Sequence, residues 1–224
     1  MFDEFKNNID FFLRNKFPIS RKNFVEKNLK LIERNNKENL YTKDILEKYL
    51  TKSEKSSIKI LDIGSKNWFY VRGEYDFFAQ FAKEFSIDGV ELDAYRLYSN
   101  FYNRFEVAKY YTKNLENTNY IAGNLLDIRT GYDYIIWFLP FVLYLPHKKW
   151  GLPKKYFYPE KLLSHAYNLL KPQGQMLIIN QGAEEAMVQK EMLEKLNIKY
   201  ADLGEIQSEY FQYKNKRFGF LVNK

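Results

Sequence analysis

The chain has no cysteine. That excludes a disulfide framework, a thiolate metal site and a cysteine nucleophile. Histidine is nearly as scarce, with only His147 and His165, too few for a histidine-built metal centre, and no metal ligands are assigned. Glycine is sparse at 10 of 224 residues, and no G-x-G-x-x-G fingerprint occurs. No apolar run approaches the ~18 residues that span a bilayer. The start, Met-Phe-Asp-Glu-Phe-Lys-Asn-Asn, lacks the basic-then-apolar pattern of a secretory signal. These absences point to a cytoplasmic protein with no membrane partner. They leave the oligomeric state open.

What is present is a globular composition, 46% hydrophobic and 28% charged, with a net charge of +7. A basic balance invites a nucleic-acid reading. Lys, Asn, Ile, Phe and Tyr are all over-used, however, as a coding bias toward A and T would produce, so local clustering of charge is the better guide. The length suits one domain with an extension.

Residues 1–56 read as that extension, in three helices. Phe2, Phe5, Ile9, Phe12 and Leu13 share one face of the first. Phe17-Pro18 ends it, Ser20 caps a second that stops at Asn35-Asn36, and Thr42 caps a third. The extension serves either as a lid or as a helical layer on the domain that follows. From 57 to 224, strand and helix patterns alternate, the mark of an α/β fold with parallel βαβ units and helices on both faces. Strands are expected at 58–63, 87–92, 119–122, 132–138, 176–180, 198–203 and 217–222. Helices are expected near 74–85, 93–108, 159–170 and 182–196. The bend Lys214-Asn215-Lys216 would let the seventh strand run antiparallel in a mostly parallel sheet.

Ligands of such a sheet bind beyond the carboxyl ends of the strands. The first strand ends Asp62-Ile63-Gly64, where glycine lets backbone pass close to a ligand. The second ends at Glu91, which can accept both ribose hydroxyls of a nucleoside. After the third come Asn124 and Asp127, either of which can accept an exocyclic purine amine. Each of these polar residues is alternatively a helix cap.

Four stretches resemble the class I methyltransferases that use S-adenosylmethionine. They are Leu61-Asp62-Ile63-Gly64-Ser65, Gly89-Val90-Glu91-Leu92-Asp93, Ala122-Gly123-Asn124-Leu125-Leu126-Asp127 and Leu169-Leu170-Lys171-Pro172-Gln173-Gly174. The resemblance implies a seven-stranded Rossmann-like sheet with an antiparallel last strand and S-adenosylmethionine as cofactor. It also implies cofactor contacts from Asp62, Gly64, Ser65, Glu91, Asn124 and Asp127. The chain departs from the family in keeping one glycine of the first motif, where Asn67-Trp68 would crowd the loop. It departs again in having Leu139-Pro140-Phe141 after the fourth strand, without the polar residue that base-amine methyltransferases carry.

The stretch from Pro140 to Pro159 holds four prolines and reads as a long irregular loop. Its lysines and aromatics, Tyr144, Lys148, Lys149 and Trp150 among them, suit an anionic small-molecule substrate or single-stranded RNA. An aromatic lid over the cofactor is the other reading. His147 is the loop's candidate general base. The reading is therefore a methyltransferase. A non-catalytic RNA- or partner-binding protein on the same fold is the alternative, and a nicotinamide-dependent oxidoreductase is the nearest enzyme rival.

Overall fold

The computed structural model describes residues 2–20 and 24–224. Two helices lead, α1 (Phe2–Lys16) and α2 (Leu29–Tyr49). Seven strands follow: β1 (Ser57–Ile63), β2 (Glu84–Glu91), β3 (Thr118–Ala122), β4 (Tyr132–Phe138), β5 (Leu170–Gln181), β6 (Tyr200–Ile206) and β7 (Arg217–Asn223). Between them lie α3 (Val71–Phe78), α4 (Arg104–Thr112), α5 (Tyr144–Lys149), α6 (Pro159–Leu169) and α7 (Gly182–Lys195). The strands form one sheet in the order β3-β2-β1-β4-β5-β7-β6. β7 is antiparallel to both its neighbours, and the other pairings are parallel. The expected α/β architecture, with helices on both faces and an antiparallel last strand, is the observed one.

Alternating strand residues divide the core. Leu61, Ile135, Met176 and Ile178 face α6 and α7, where Leu163, Ala166 and Leu193 meet them. Ile58, Ile60, Ile136 and Leu177 face the other way, against Tyr41, Ile45 and Leu46 of α2 and Phe77 and Phe78 of α3. Residues 34–50 therefore form part of a helical layer. A Cβ on Gly73 of α3 would stand 2.2 Å from the Asn39 carbonyl oxygen, so the two helices pack backbone to backbone there. The Asn39 side chain clamps the crossing, donating to the Phe69 carbonyl at 2.9 Å and accepting from the Gly73 N–H at 2.8 Å.

Several expected boundaries move. α2 runs unbroken through Asn35-Asn36 and Thr42, so these residues neither end nor begin a helix. Asn35 donates to the Tyr111 hydroxyl, and Thr42 donates to the Glu38 carbonyl four residues back. The helix start expected after Ser20 falls on residues 21–23, outside the described residues, and 24–28 are not helical. The helix expected from Asp93 begins instead at Arg104, behind an Asn103–Glu106 capping box. The turn expected at Lys171–Gly174 is taken up by β5 with a shift of register against β4. The stretch from Pro140 to Pro159 is partly ordered into α5 and a short 3-10 turn, Lys154–Tyr156.

Candidate active site

Strand order reverses between β1 and β4, and the strand tips on either side open onto one cavity of about 970 Å³. Gly64, Glu91 and Asn124, from three successive strand ends, all line it. Gly64 has φ +75°, and a Cβ there would meet nothing within 4 Å, so the chain presents bare backbone to open space. One Glu91 oxygen accepts from the Lys66 N–H at 2.9 Å; the other accepts from the Asp93 N–H at 2.7 Å and lies 3.3 Å from the Arg104 guanidinium. A carboxylate offers about four lone-pair directions, so capacity for a ligand hydroxyl remains. Asn124 caps the 3-10 turn Leu125–Asp127 through its side-chain oxygen and donates to the Tyr158 hydroxyl at 2.8 Å. Asn124 thus caps the turn and lines the cavity at once.

The other expected cofactor residues are placed differently. Asp62 and Ser65 are fully buried beneath the loop and do not line the cavity. One Asp62 oxygen accepts from the Tyr70 hydroxyl at 2.8 Å, and the other has no partner among the described residues. Burial raises its pKa, and nearby Glu91 pushes the same way. Asp127 is exposed, away from the cavity.

The expected crowding by Asn67-Trp68 does not occur. Trp68 adopts φ +48° and turns inward, fully buried, its Nε1 donating to Glu74 at 2.9 Å. Gly89 makes room for the ring: a Cβ there would lie 2.8 Å from it. Asn67 lines the cavity with its side-chain oxygen unpartnered among the described residues, as does the Tyr98 hydroxyl.

The loop residues separate into two sets. Tyr144 and Lys148 do not line the cavity; they hold α1, through Tyr144 to Glu4 at 3.1 Å and Lys148 to Asp3 at 3.0 Å. The Lys154 N–H donates to Glu4 at 2.6 Å, Asn7 donates to the Lys148 carbonyl, and Phe11 packs on Tyr156. The far end of α1 is held by Arg14, which meets Asp93 at 2.6 Å and the Gly151 carbonyl at 3.2 Å. Lys149, His147 and Trp150 do line the cavity. Trp150 stands at the Glu91 end, its ring 4.9 Å from the Arg104 guanidinium and 5.6 Å from the Lys66 ammonium.

His147 is buried among Phe141, Tyr144 and Phe157, with neither ring nitrogen partnered among the described residues. Burial pushes its pKa down to about 4, against a small opposing pull from Glu4. Such an imidazole is neutral but a poor proton acceptor near pH 7, which corrects the expectation of a tuned general base.

Sequence reasoning missed the wall made by α7 and β7. Gln189 is buried and lines the cavity with its amide nitrogen unpartnered among the described residues. Arg217 donates to Gln181 at 2.9 Å and lies 4.3 Å over the Tyr213 ring. In the sequence Gln189 is one of three polar residues between Val188 and Met192, with nothing to mark it. Among the described residues, no group of three or more His, Asp or Glu side chains is placed to hold a metal, and no helix is long and apolar enough to cross a membrane.

The arrangement has counterparts among solved structures. A SAM-dependent methyltransferase from Aquifex aeolicus superimposes with a TM-score of 0.59 at 14% identity, over 88% of this chain and 98% of that one. The fold is that of the class I methyltransferases. The same methyltransferase fold appears in a precorrin-6y C5,15-methyltransferase from Geobacter metallireducens GS-15, with a TM-score of 0.54 at 11% identity, over 92% of this chain and 95% of that one. It appears again in a magnesium protoporphyrin IX methyltransferase from Synechocystis PCC 6803, solved with bound SAM, with a TM-score of 0.51 at 11% identity, over 96% and 91% of the two chains. No family model and no curated relative matches the chain.

Proposed function

We propose that the protein transfers a methyl group from S-adenosylmethionine to a small-molecule acceptor. The observation that carries the cofactor assignment is the convergence of Gly64, Glu91 and Asn124 on one cavity at the reversal of strand order. The residues present fit the cofactor. Glu91 would take the ribose hydroxyls, the Asn124 turn the purine, and the bare backbone at Gly64 the methionine portion. The unpartnered Asn67 oxygen and Tyr98 hydroxyl are further polar positions for it.

The cofactor supplies an electrophilic methyl on a sulfonium. The protein's part is to align the acceptor with it in a site kept dry by Phe138, Phe141, Phe157 and Tyr158. The unpartnered nitrogens of His147 and Gln189 would orient the acceptor by hydrogen bonds, since buried polar groups left unpaired are costly. No proton transfer is routed through His147.

A small acceptor is favoured over RNA because α1 lies over the basic stretch. Asp3 neutralises Lys148, and Glu4 takes the Tyr144 hydroxyl and the Lys154 N–H. The loop lysine nearest α1 is thereby paired from within the chain. In this reading residues 57–224 are the catalytic domain, and the 1–56 extension supplies a wall through α2 and, through α1, a clasp on the Tyr144–Lys154 segment.

The test is calorimetric titration with S-adenosylmethionine and S-adenosylhomocysteine, using the wild type and Glu91→Gln. Micromolar binding that weakens at least about tenfold in the variant is expected, a loss of about 1.4 kcal/mol. No heat at millimolar ligand overturns the assignment.

A further inference from the structure

α1 is amphipathic the wrong way round for a helix with no partner. Its polar face docks on the protein: Asp3, Glu4, Asn7 and Arg14 all reach across to the segment from Tyr144 to Lys154 or to Asp93. Its apolar face is left in solvent. Phe2 is 81% exposed, Phe5 63%, Ile9 41%, Phe12 60% and Leu13 48%. Phe17, just past the helix, is exposed as well. A soluble helix ordinarily buries this face.

The spacing says what kind of surface covers it. Phe2, Phe5, Ile9, Phe12 and Lys16 follow one another at intervals of three, four, three and four residues. That is the narrow seam by which one helix meets another, rather than a broad apolar sector. The seam is also self-complementary. With two copies antiparallel about Ile9, Phe5 of one faces Leu13 of the other, and Phe2 and Phe12 face the aliphatic stems of Lys16 and Lys6. A parallel pair would set Lys16 against Lys16. No acid occupies a seam position, and the flanking Asn8 and Asn15 are uncharged.

We infer that α1 is the contact of a two-fold symmetric dimer, its occupant a second copy of this chain. The area suits the assignment. At roughly 200 Å² for a fully exposed aromatic side chain, the five residues offer about 600 Å² per copy, and Phe17 brings this near the ~800 Å² of a standard interface. Because the opposite face of α1 holds the Tyr144–Lys154 segment, which contributes His147, Lys149 and Trp150 to the cavity, the dimer would brace the lining of two sites at once.

Light scattering on the eluting wild-type protein should give twice 27.1 kDa. Ile9→Glu, on the exposed face, should leave the unfolding transition unchanged, return the mass to 27.1 kDa and weaken the dimer at least about a hundredfold. The absence of native cysteine allows a second measurement that does not depend on that variant. Ile9→Cys should form a disulfide dimer under mild oxidation about tenfold faster than Met187→Cys, an exposed control elsewhere. Phe5→Cys should link to Leu13→Cys when the two are mixed. A wild type of 27.1 kDa at high micromolar concentration, or equal rates for the two single-cysteine variants, overturns the dimer. A monomer that co-sediments with anionic phosphatidylserine vesicles through α1 would reassign the face to lipid.

Discussion

At the scale of single residues, the loop after β1 depends on one exchange of volume. Trp68 is buried where Gly89 has no side chain, so the pair behaves as a unit. Gly89→Ala puts a methyl 2.8 Å from the indole and should cost about 1–3 kcal/mol by overpacking. Trp68→Phe leaves a gap and takes from Glu74 its Nε1 donor, at a cost of about 2–3 kcal/mol. The double variant should lose clearly less than the sum, because the smaller ring leaves room for the methyl. Urea midpoints of the four proteins check this, and strict additivity would sink it.

His147 makes a second residue-scale prediction. Its folded pKa of about 4 lies below its ordinary value of 6.5. As pH falls through that window the unfolded chain takes up a proton that the folded protein refuses. The stability His147 contributes is therefore whole above pH 6.5, declines below it, and is lost once the pH has passed about 4. The amount is up to about 3 kcal/mol. His147→Phe should flatten this part of the stability profile; an unchanged acid slope in denaturant titrations would refute the assignment. The sequence offered His147 as a general base; the structure places it in the cavity lining, in a state that Phe141, Tyr144 and Phe157 set. Trp68 was misread for a similar reason. Its direction depends on a positive φ that composition does not reveal, although a glycine inside a strand, as at Gly89, is itself a sign of close approach.

At the scale of elements, the crossing of α2 and α3 reverses an ordinary rule. Ala is preferred to Gly inside a helix by about 1 kcal/mol. Gly73→Ala should nevertheless destabilise, by about 2 kcal/mol, because its methyl would stand 2.2 Å from a backbone carbonyl that cannot swing away. Thermal denaturation decides the sign, and a gain in stability would mean that the helices separate freely. The strands were legible because buried parallel strands are near-continuous apolar runs, as in Tyr134–Trp137 and Met176–Ile179. Helix ends were less so. Asn35 and Asn36 look like a breaker, yet Asn35 bonds to Tyr111 and Asn39 to α3, so tertiary partners replace the local bonds that would end a helix. The start of α4 was in fact written in the sequence as Asn103-x-x-Glu106, and the charge of Asp93 drew attention from it. Asp93 is instead held by Arg14 at 2.6 Å and Arg96 at 2.5 Å, with Arg104 nearby. α5 hid behind its proline, which sits in the first turn where a missing N–H costs nothing.

At the scale of the whole molecule, the excess of 35 basic over 28 acidic residues argues for a nucleic-acid partner only where cations are free and adjacent. Beside the site they are partly engaged: Lys148 pairs with Asp3, and the exposed Lys154 and Lys155 place their ammonium groups over the rings of Tyr144 and Tyr156. Ligand linkage separates the two partners without an assay of the reaction. S-adenosylhomocysteine at a hundred times its dissociation constant should add about 2.7 kcal/mol, raising the melting temperature of a chain this size by roughly 5–10 °C. Glu91→Gln should melt lower on its own account, because Glu91 also braces Arg104 and the Lys66 N–H. The informative quantity is therefore the increment on adding ligand, which should fall to about 1.4 kcal/mol or less in the variant at the same ligand concentration. Polyuridylate should give no increment at any salt concentration. If it raised the melting temperature, and the rise vanished steeply with added salt while S-adenosylhomocysteine did nothing, phosphate contacts would be supplying the stabilisation. The fold would then serve as a nucleic-acid platform, and α1 would have to leave the basic stretch it covers.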